Sequence, residues 1–220
     1  MSRYDAVLFD AFGTLIELDR PFDRLREVVR DRLGVDVNPQ DAERAFRQEM
    51  AYYAEHCHLG RDDDSVAALR LRCAELLVAE LALDAPAGRL VDTLADAIVY
   101  RVYDDVQPAL DGLRERGTAV AVVSNWDCTL PDVLASAGID IPTVVDSATA
   151  GAPKPDPRIF REALARLGVE SSRALHVGDT PDADGEGARA AGIDVRLIER
   201  NGSGGESAIR SLTDVLELVG

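Results

Sequence analysis

A carboxylate at the tip of an apolar run is costly to bury unless something answers its charge. Asp10 is such a residue: it follows the apolar stretch 4–9 and opens the segment Asp10-Ala11-Phe12-Gly13-Thr14. A bound cation or a nearby ammonium would stabilise it, although aspartate also caps turns. The ammonium candidate stands out by composition. Of 24 basic residues only one is a lysine, Lys154, and a compact ammonium is not interchangeable with a planar guanidinium. Lys154 lies in Ala152-Pro153-Lys154-Pro155-Asp156-Pro157, where the prolines restrict the backbone and so aim the side chain. Held near Asp10, it would steady that carboxylate and an incoming phosphoryl or carboxylate group. Ser124 ends a second apolar run and is followed by Asn125; its hydroxyl can donate to an anionic oxygen or cap the next helix. Thr14, in the tight turn after Gly13, offers the same choice. Asp179, Asp182 and Asp184 crowd three carboxylates into six residues. They repel one another without a cation, and an oxygen-only donor set suits Mg²⁺; a solvated acidic loop is the plainer alternative.

The elements that must position these residues follow from periodicity. Residues 4–9 read as a buried strand ending at Asp10. Residues 21–103 read as an all-helical block without strands: a first helix closed by Gly34, then helices over 39–55, 65–83 and 87–103. Beyond Pro108 the pattern alternates. Helices are expected over 109–116, 130–137, 156–167 and 187–191, with strands over 119–123, 143–145, 174–177 and 195–198. A polar turn over 201–205 leads to a closing helix over 207–218. Strands alternating with helices imply an α/β fold, a Rossmann-like parallel sheet with helices on both faces. Ligands in such sheets bind at the carboxyl ends of the strands, where Asp10, Ser124 and Asp179 all fall.

Together the pieces resemble the haloacid dehalogenase superfamily, and the resemblance covers nearly the whole chain. Its first motif is similar to Phe9-Asp10-Ala11-Phe12-Gly13-Thr14-Leu15, its second to Val123-Ser124-Asn125, its third to Lys154-Pro155-Asp156-Pro157, and its fourth to Gly178-Asp179-Thr180 with Asp184. The resemblance implies a core of residues 1–17 and 104–220 and a helical cap of residues 18–103. It also implies a hydrolase in which Asp10 is a covalent nucleophile. Asp10, the Phe12 carbonyl, Asp179 and Asp184 would hold Mg²⁺. Ser124 and Lys154 would cradle the transferred group, with Thr14 and Asn125 beside the substrate.

One position departs from the family's phosphatases. They carry a second aspartate two residues after the nucleophile, as general acid and base; here that position is Phe12, which can be neither. The 2-haloacid dehalogenases have an aromatic residue there, since a halide leaves without a proton, and Arg47 in Phe46-Arg47-Gln48 is similar to their halide-receiving arginine. Those enzymes lack the metal-binding carboxylate that Asp179 retains. An unneutralised Asp179 would repel an anionic haloacid by on the order of 4 kcal/mol at ~4 Å and an effective dielectric near 20. The expectation is therefore an Mg²⁺-dependent phosphatase acting on a small phosphorylated metabolite, with dehalogenation or non-catalytic binding as alternatives. A response-regulator receiver has its acidic pair first, and a nicotinamide-binding fold needs a G-x-G-x-x-G turn after its first strand; neither fits.

Bulk properties narrow the partners. The formal net charge of −16 disfavours nucleic acid and anionic membrane surfaces. No run approaches the ~18 apolar residues of a membrane span, and the N-terminus does not read as a signal peptide. Cys57, Cys73 and Cys128 form no C-x-x-C pair and read as reduced thiols of a cytoplasmic protein. His56, Cys57 and His58 invite a metal reading, but neighbours on a helix point about 100° apart. The expected partner is a small anionic molecule. A monomer and a homodimer are both open, and Arg47, Tyr52, Tyr53 and Arg61 of the cap are candidates for selecting the substrate.

Overall fold

The computed structural model describes residues 3–200 and 208–220. In chain order, β1 (Ala6–Phe9) and β2 (Ile16–Leu18) precede four helices, α1 (Pro21–Leu33), α2 (Pro39–His56), α3 (Asp63–Glu80) and α4 (Ala87–Ala97). Next come β3 (Tyr100–Val102), α5 (Val106–Glu115), β4 (Ala119–Ser124), α6 (Leu130–Ser136), β5 (Thr143–Asp146), α7 (Ser147–Ala150) and α8 (Pro157–Leu167). The remainder is β6 (Ala174–Gly178), α9 (Gly187–Ala190), β7 (Asp194–Leu197) and α10 (Val215–Val219). The chain divides into two compact units, Met1–Glu17 with Val102–Gly220, and Leu18–Arg101.

The first unit holds a five-stranded parallel sheet in the order β5-β4-β1-β6-β7. It is the expected α/β architecture. Its central strand reads Ala-Val-Leu-Phe, all buried, because helices cover a parallel sheet on both faces. Leu8 and Val123 pack with Ile159, Phe160 and Ala163 of α8 on one face. The register fixes what meets at the carboxyl end. Phe9 pairs with Val122 of β4 and with Val177 of β6, so Asp10, Ser124 and Gly178-Asp179 emerge side by side. The chain builds outward from β1 through β4 to β5, then crosses to β6 and β7, which makes β1 the strand where direction reverses.

The second unit is a four-helix assembly with its own core of Leu25, Val29, Phe46, Leu77 and Leu90, among others. Its helix ends carry local signals. Gly34 closes α1 at φ 69°, the Asn38 side chain accepts from the Asp41 amide ahead of Pro39, and Asp62 and Ser65 form a reciprocal capping box on α3. The expectation of an all-helical block over 21–103 is corrected at its end. The helix over 87–103 stops at Ala97, and Tyr100–Val102 is a strand paired with β2 in a two-stranded sheet. The segment 98–103 is rich in β-branched and aromatic residues, Ile98, Val99, Tyr100, Val102 and Tyr103, which favour extended backbone, and Ile98 is already extended. The closing helix expected over 207–218 also shortens, to a 3-10 turn over Leu212–Asp214 and α10. There the Ser211 hydroxyl and Asp214 carboxylate cap each other's backbone, and Asp105 takes the Leu212 amide. The turn expected over 201–205 lies outside the described residues. Among those described, no helix is long and apolar enough to cross a membrane.

Glu49 is the anomaly of the helical unit: a carboxyl only 2% exposed, with one oxygen lacking any hydrogen-bond partner. Burial pushes its pKa from 4.5 up to about 7, against a hydrogen bond from Cys73. The folded state thus holds a proton that the unfolded chain releases near pH 4.5. The contribution of Glu49 to stability is greatest below that pH and falls as pH rises to about 7, by roughly 3 kcal/mol in total. Urea unfolding of the wild type and Glu49→Gln at pH 4.5 and 7.5 is expected to show the stability gap shifting in favour of the variant at the higher pH. An unchanged gap would contradict the assignment.

Candidate active site

Asp10 lies one residue past β1, 6% exposed, its amide donating to the Val177 carbonyl of β6 at 2.9 Å. Its Oδ1 accepts from Ser124 Oγ at 2.8 Å and from Lys154 Nζ at 2.5 Å. Lys154 is equally buried and donates a second bond to Asp184 Oδ1 at 2.7 Å. Its loop is held by Asn125 in a reciprocal clamp: Lys154 N donates to Asn125 Oδ1 at 2.7 Å, and Asn125 Nδ2 donates to the Lys154 carbonyl at 3.0 Å. Asn125 therefore meets the Lys154 backbone and aims the lysine.

Asp184 belongs to a π-helical turn over Pro181–Glu186, an irregularity common at functional sites. The turn sends its carboxylate back over Gly178, where a Cβ would lie 2.2 Å from Asp184 Cγ. Besides Lys154, Asp184 Oδ1 meets His176 Nε2 at 2.8 Å, and Oδ2 accepts from the Thr180 amide at 3.0 Å. With three of four lone-pair positions taken, one direction at Oδ2 stays free. Asp179 is more open: it is solvent-exposed, with a bond from Thr180 Oγ1 at 3.1 Å.

One ammonium faces three carboxylates here. Oxygen atoms of Asp10, Asp179 and Asp184 lie within 4.8 Å of one another. Burial raises the pKa of Asp10, opposed by the Lys154 charge and the Ser124 hydroxyl. Burial also works against Asp184, yet Lys154 and His176 hold its carboxyl well below the usual carboxylate range. Asp179 has no such partner, and partial burial with the Asp10 and Asp184 charges pushes it up to about 6. A hard divalent cation fits this set: oxygen donors only, excess negative charge, and two residues with free lone pairs facing one spot.

Gly13 makes room for that arrangement. Its φ is +80°, and a Cβ there would lie 2.2 Å from Asp179 Oδ2. Around it the Ala11 carbonyl accepts from the amides of Leu15 and Ile16, at 2.8 and 3.0 Å. Phe12 stands out from this turn, 37% exposed. The Thr14 side chain turns inward, fully buried, and Oγ1 has no hydrogen-bond partner. Arg47, on α2 of the helical unit, is exposed, paired with Glu43 at 2.8 Å and 5.4 Å from the Phe22 ring. Tyr52 stacks on His56 at 4.1 Å. Cys57 is buried and His58 half-buried, and neither joins a metal-binding cluster among the described residues.

Sequence reasoning missed two residues. His176 is wholly buried on β6 and edge-on to Phe160 at 4.9 Å. Its Nδ1 lacks a partner, so the proton belongs on Nε2, facing Asp184. A histidine inside the apolar run Ala174–Gly178 was the available signal, since a buried polar group needs a partner. Arg200 carries no such signal. Its guanidinium donates to Asp105 Oδ2 at 2.6 Å and to the Thr14 carbonyl at 2.5 Å, and lies 3.9 Å over the Tyr103 ring. Asp105 Oδ2 also takes the Leu212 amide. Arg200 thus ties the turn after Asp10 to the segments before α5 and before α10.

The profile of the haloacid dehalogenase-like hydrolase family matches residues 4–192. Haloacid dehalogenase-like hydrolase domain-containing protein 3 of Mus musculus is 36% identical over 203 residues, covering 86% of this chain and 80% of its own. Phosphoserine phosphatase of Thermus thermophilus is 37% identical over 107 residues, covering 46% and 42%. Haloacetate dehalogenase H-2 of a Moraxella species is 26% identical, covering 92% and 88%. The crystal structure of an HAD phosphatase from Thermococcus onnurineus superposes with a TM-score of 0.66 at 26% identity, covering 98% of each chain.

Gly13→Ala and Gly138→Ala separate backbone strain from site geometry. Gly138 has nearly the same φ, +79°, but open space around its Cβ position. Gly138→Ala should cost about 1 kcal/mol from strain alone. Gly13→Ala should cost about the same, because the exposed Asp179 carboxylate can swing aside, but it alone should bring the Asp179 carboxyl down from about 6 toward the ordinary carboxylate value. An Asp179 titration, followed by NMR, that is the same in Gly13→Ala as in the wild type would contradict the close packing of Gly13 on Asp179.

Proposed function

Since the chain belongs to the haloacid dehalogenase-like hydrolases, we propose that it is a phosphatase using Asp10 as covalent nucleophile and Mg²⁺ as cofactor on a small phosphorylated metabolite. The observation that carries this reading is the trio of carboxylates with oxygens within 4.8 Å of one another, of which Lys154 pairs with Asp10 and Asp184 alone. Asp10 and Asp179 would hold the cation, helped by the Phe12 carbonyl, with Asp184 contributing through its free Oδ2 direction or through water. When bound, Mg²⁺ neutralises Asp179 and draws charge from the phosphoryl oxygens.

The chain's own residues do the rest. Ser124 and Lys154 fix Asp10 so that its second oxygen faces the incoming phosphorus. The Lys154 ammonium meets the negative charge of the phosphoryl group as the Asp10–phosphorus bond forms. Asn125 and Asp184 keep the lysine in place from its backbone and its head. Water then cleaves the aspartyl phosphate and frees Asp10. The substrate would be a small anionic molecule, and three cysteines, none in a disulfide, agree with a cytoplasmic setting.

Dehalogenation is the second reading, favoured by Phe12 at the position where a phosphatase of this family carries its acid. The two part on metal. Phosphate release from a phosphoester panel should require Mg²⁺ and stop with EDTA, and Asp10→Asn should lower it by at least about 10³-fold. Chloride released from 2-chloropropionate in EDTA, without phosphate release in Mg²⁺, would replace the first reading by the second. Asp179→Asn should weaken Mg²⁺ binding, measured calorimetrically, by about 10-fold or more.

A further inference from the structure

We infer that the substrate's leaving group departs without a proton, so the chain acts on phosphates of weakly basic oxygens: aryl, enol or acyl phosphates. The inference rests on the phosphatase reading and narrows its substrate class.

Cleaving a phosphate from an alcohol leaves an alkoxide unless an acid supplies a proton, and such a proton is worth about 10²–10⁴-fold in rate. With Asp179 taken up as a ligand of the cation that the phosphatase reading places there, the strand-end cluster has no group left to give one, among the described residues of the sheet-bearing unit. Phe12 presents a phenyl ring, 37% exposed, two residues after the nucleophile. The Ser124 hydroxyl is spent on Asp10, and Lys154 donates to Asp10 and Asp184. His176 is fully buried behind Asp184. Asp127, just past β4, is buried and accepts from both the amide and the hydroxyl of Thr129, at 2.9 and 2.5 Å.

The first step then balances without a proton. The Asp10 oxygen bonds to phosphorus, the phosphorus–oxygen bond to the leaving group breaks, and that oxygen keeps the electron pair. A carboxylate or phenolate, with conjugate-acid pKa values of about 4 and 10, tolerates this; an alkoxide, near the 15.7 of water, does not. The same absence slows the second step. Water must add to the aspartyl phosphate without a base to take its proton, and both its hydrogens end on the released phosphate as Asp10 regains its charge. For good leaving groups the aspartyl phosphate therefore accumulates.

The test is kcat/KM across p-nitrophenyl, phenyl, acetyl and n-propyl phosphates in Mg²⁺, with quenched-flow measurement of nitrophenolate and phosphate. The acyl and aryl esters should exceed n-propyl phosphate by at least about 10²-fold, with one equivalent of nitrophenolate appearing before phosphate. Phe12→Asp should narrow that ratio by about 10-fold or more, because it restores an acid. Comparable rates for propyl and aryl esters would overturn this inference and leave the phosphatase reading standing. Phosphate release that keeps pace with nitrophenolate would overturn the stalled intermediate. An inert panel would remove both readings together.

Discussion

The site depends on a buried ion pair. Lys154 and Asp10 are 3% and 8% exposed at their side chains, with nitrogen and oxygen 2.5 Å apart. Such a pair is weak evidence for stability, because desolvating both charges offsets most of their attraction. Removing one partner is another matter, since it strands a buried charge at a cost of about 3–5 kcal/mol. The lysine is thus fixed by the carboxylates as firmly as it fixes them. Its own pKa is raised: burial would lower it, but the Asp10 and Asp184 charges prevail.

From this constraint the rest of the strand-end architecture follows. Lys154 must arrive at Asp10 from another segment, and the Asn125 clamp on its backbone makes that approach rigid. Asp184 must share the ammonium, so the backbone turns through a π-helical segment and Gly178 gives up its side chain. Asp179 is then left without a cationic partner, with its carboxyl at about 6. Three carboxylates against one ammonium leave the site two positive charges short, an excess that suits a divalent cation.

Phe12 shows how a site can retain one half of a mechanism. A cation held as proposed would ask only a backbone carbonyl of this position, which an aromatic side chain leaves in place. Proton transfer asks for the side chain itself. In the phosphatase reading, carboxylates able to hold a cation stand beside a position that offers no acid, and this split would tie the choice of substrate to its leaving group.

The sequence alone determined the class of fold and singled out the candidate residues of the site. Asp10 at the tip of an apolar run, a single lysine among prolines, crowded carboxylates after a glycine, and a change of hydrophobic period after Pro108 are local patterns, each with a local physical cause. Helix stops at Gly34 and Gly168 were legible for the same reason, since both residues adopt positive φ. Tertiary structure decided which oxygen meets which donor. Lys154 stands 144 residues from Asp10, and no window of sequence contains both. The same distance hid Arg200, whose target is a carbonyl 186 residues away. It hid the pairing of β2 with β3 too, because that pairing joins strands remote from each other in sequence. Local sequence sets what each residue can do; only folding brings far-apart charges close enough to change one another.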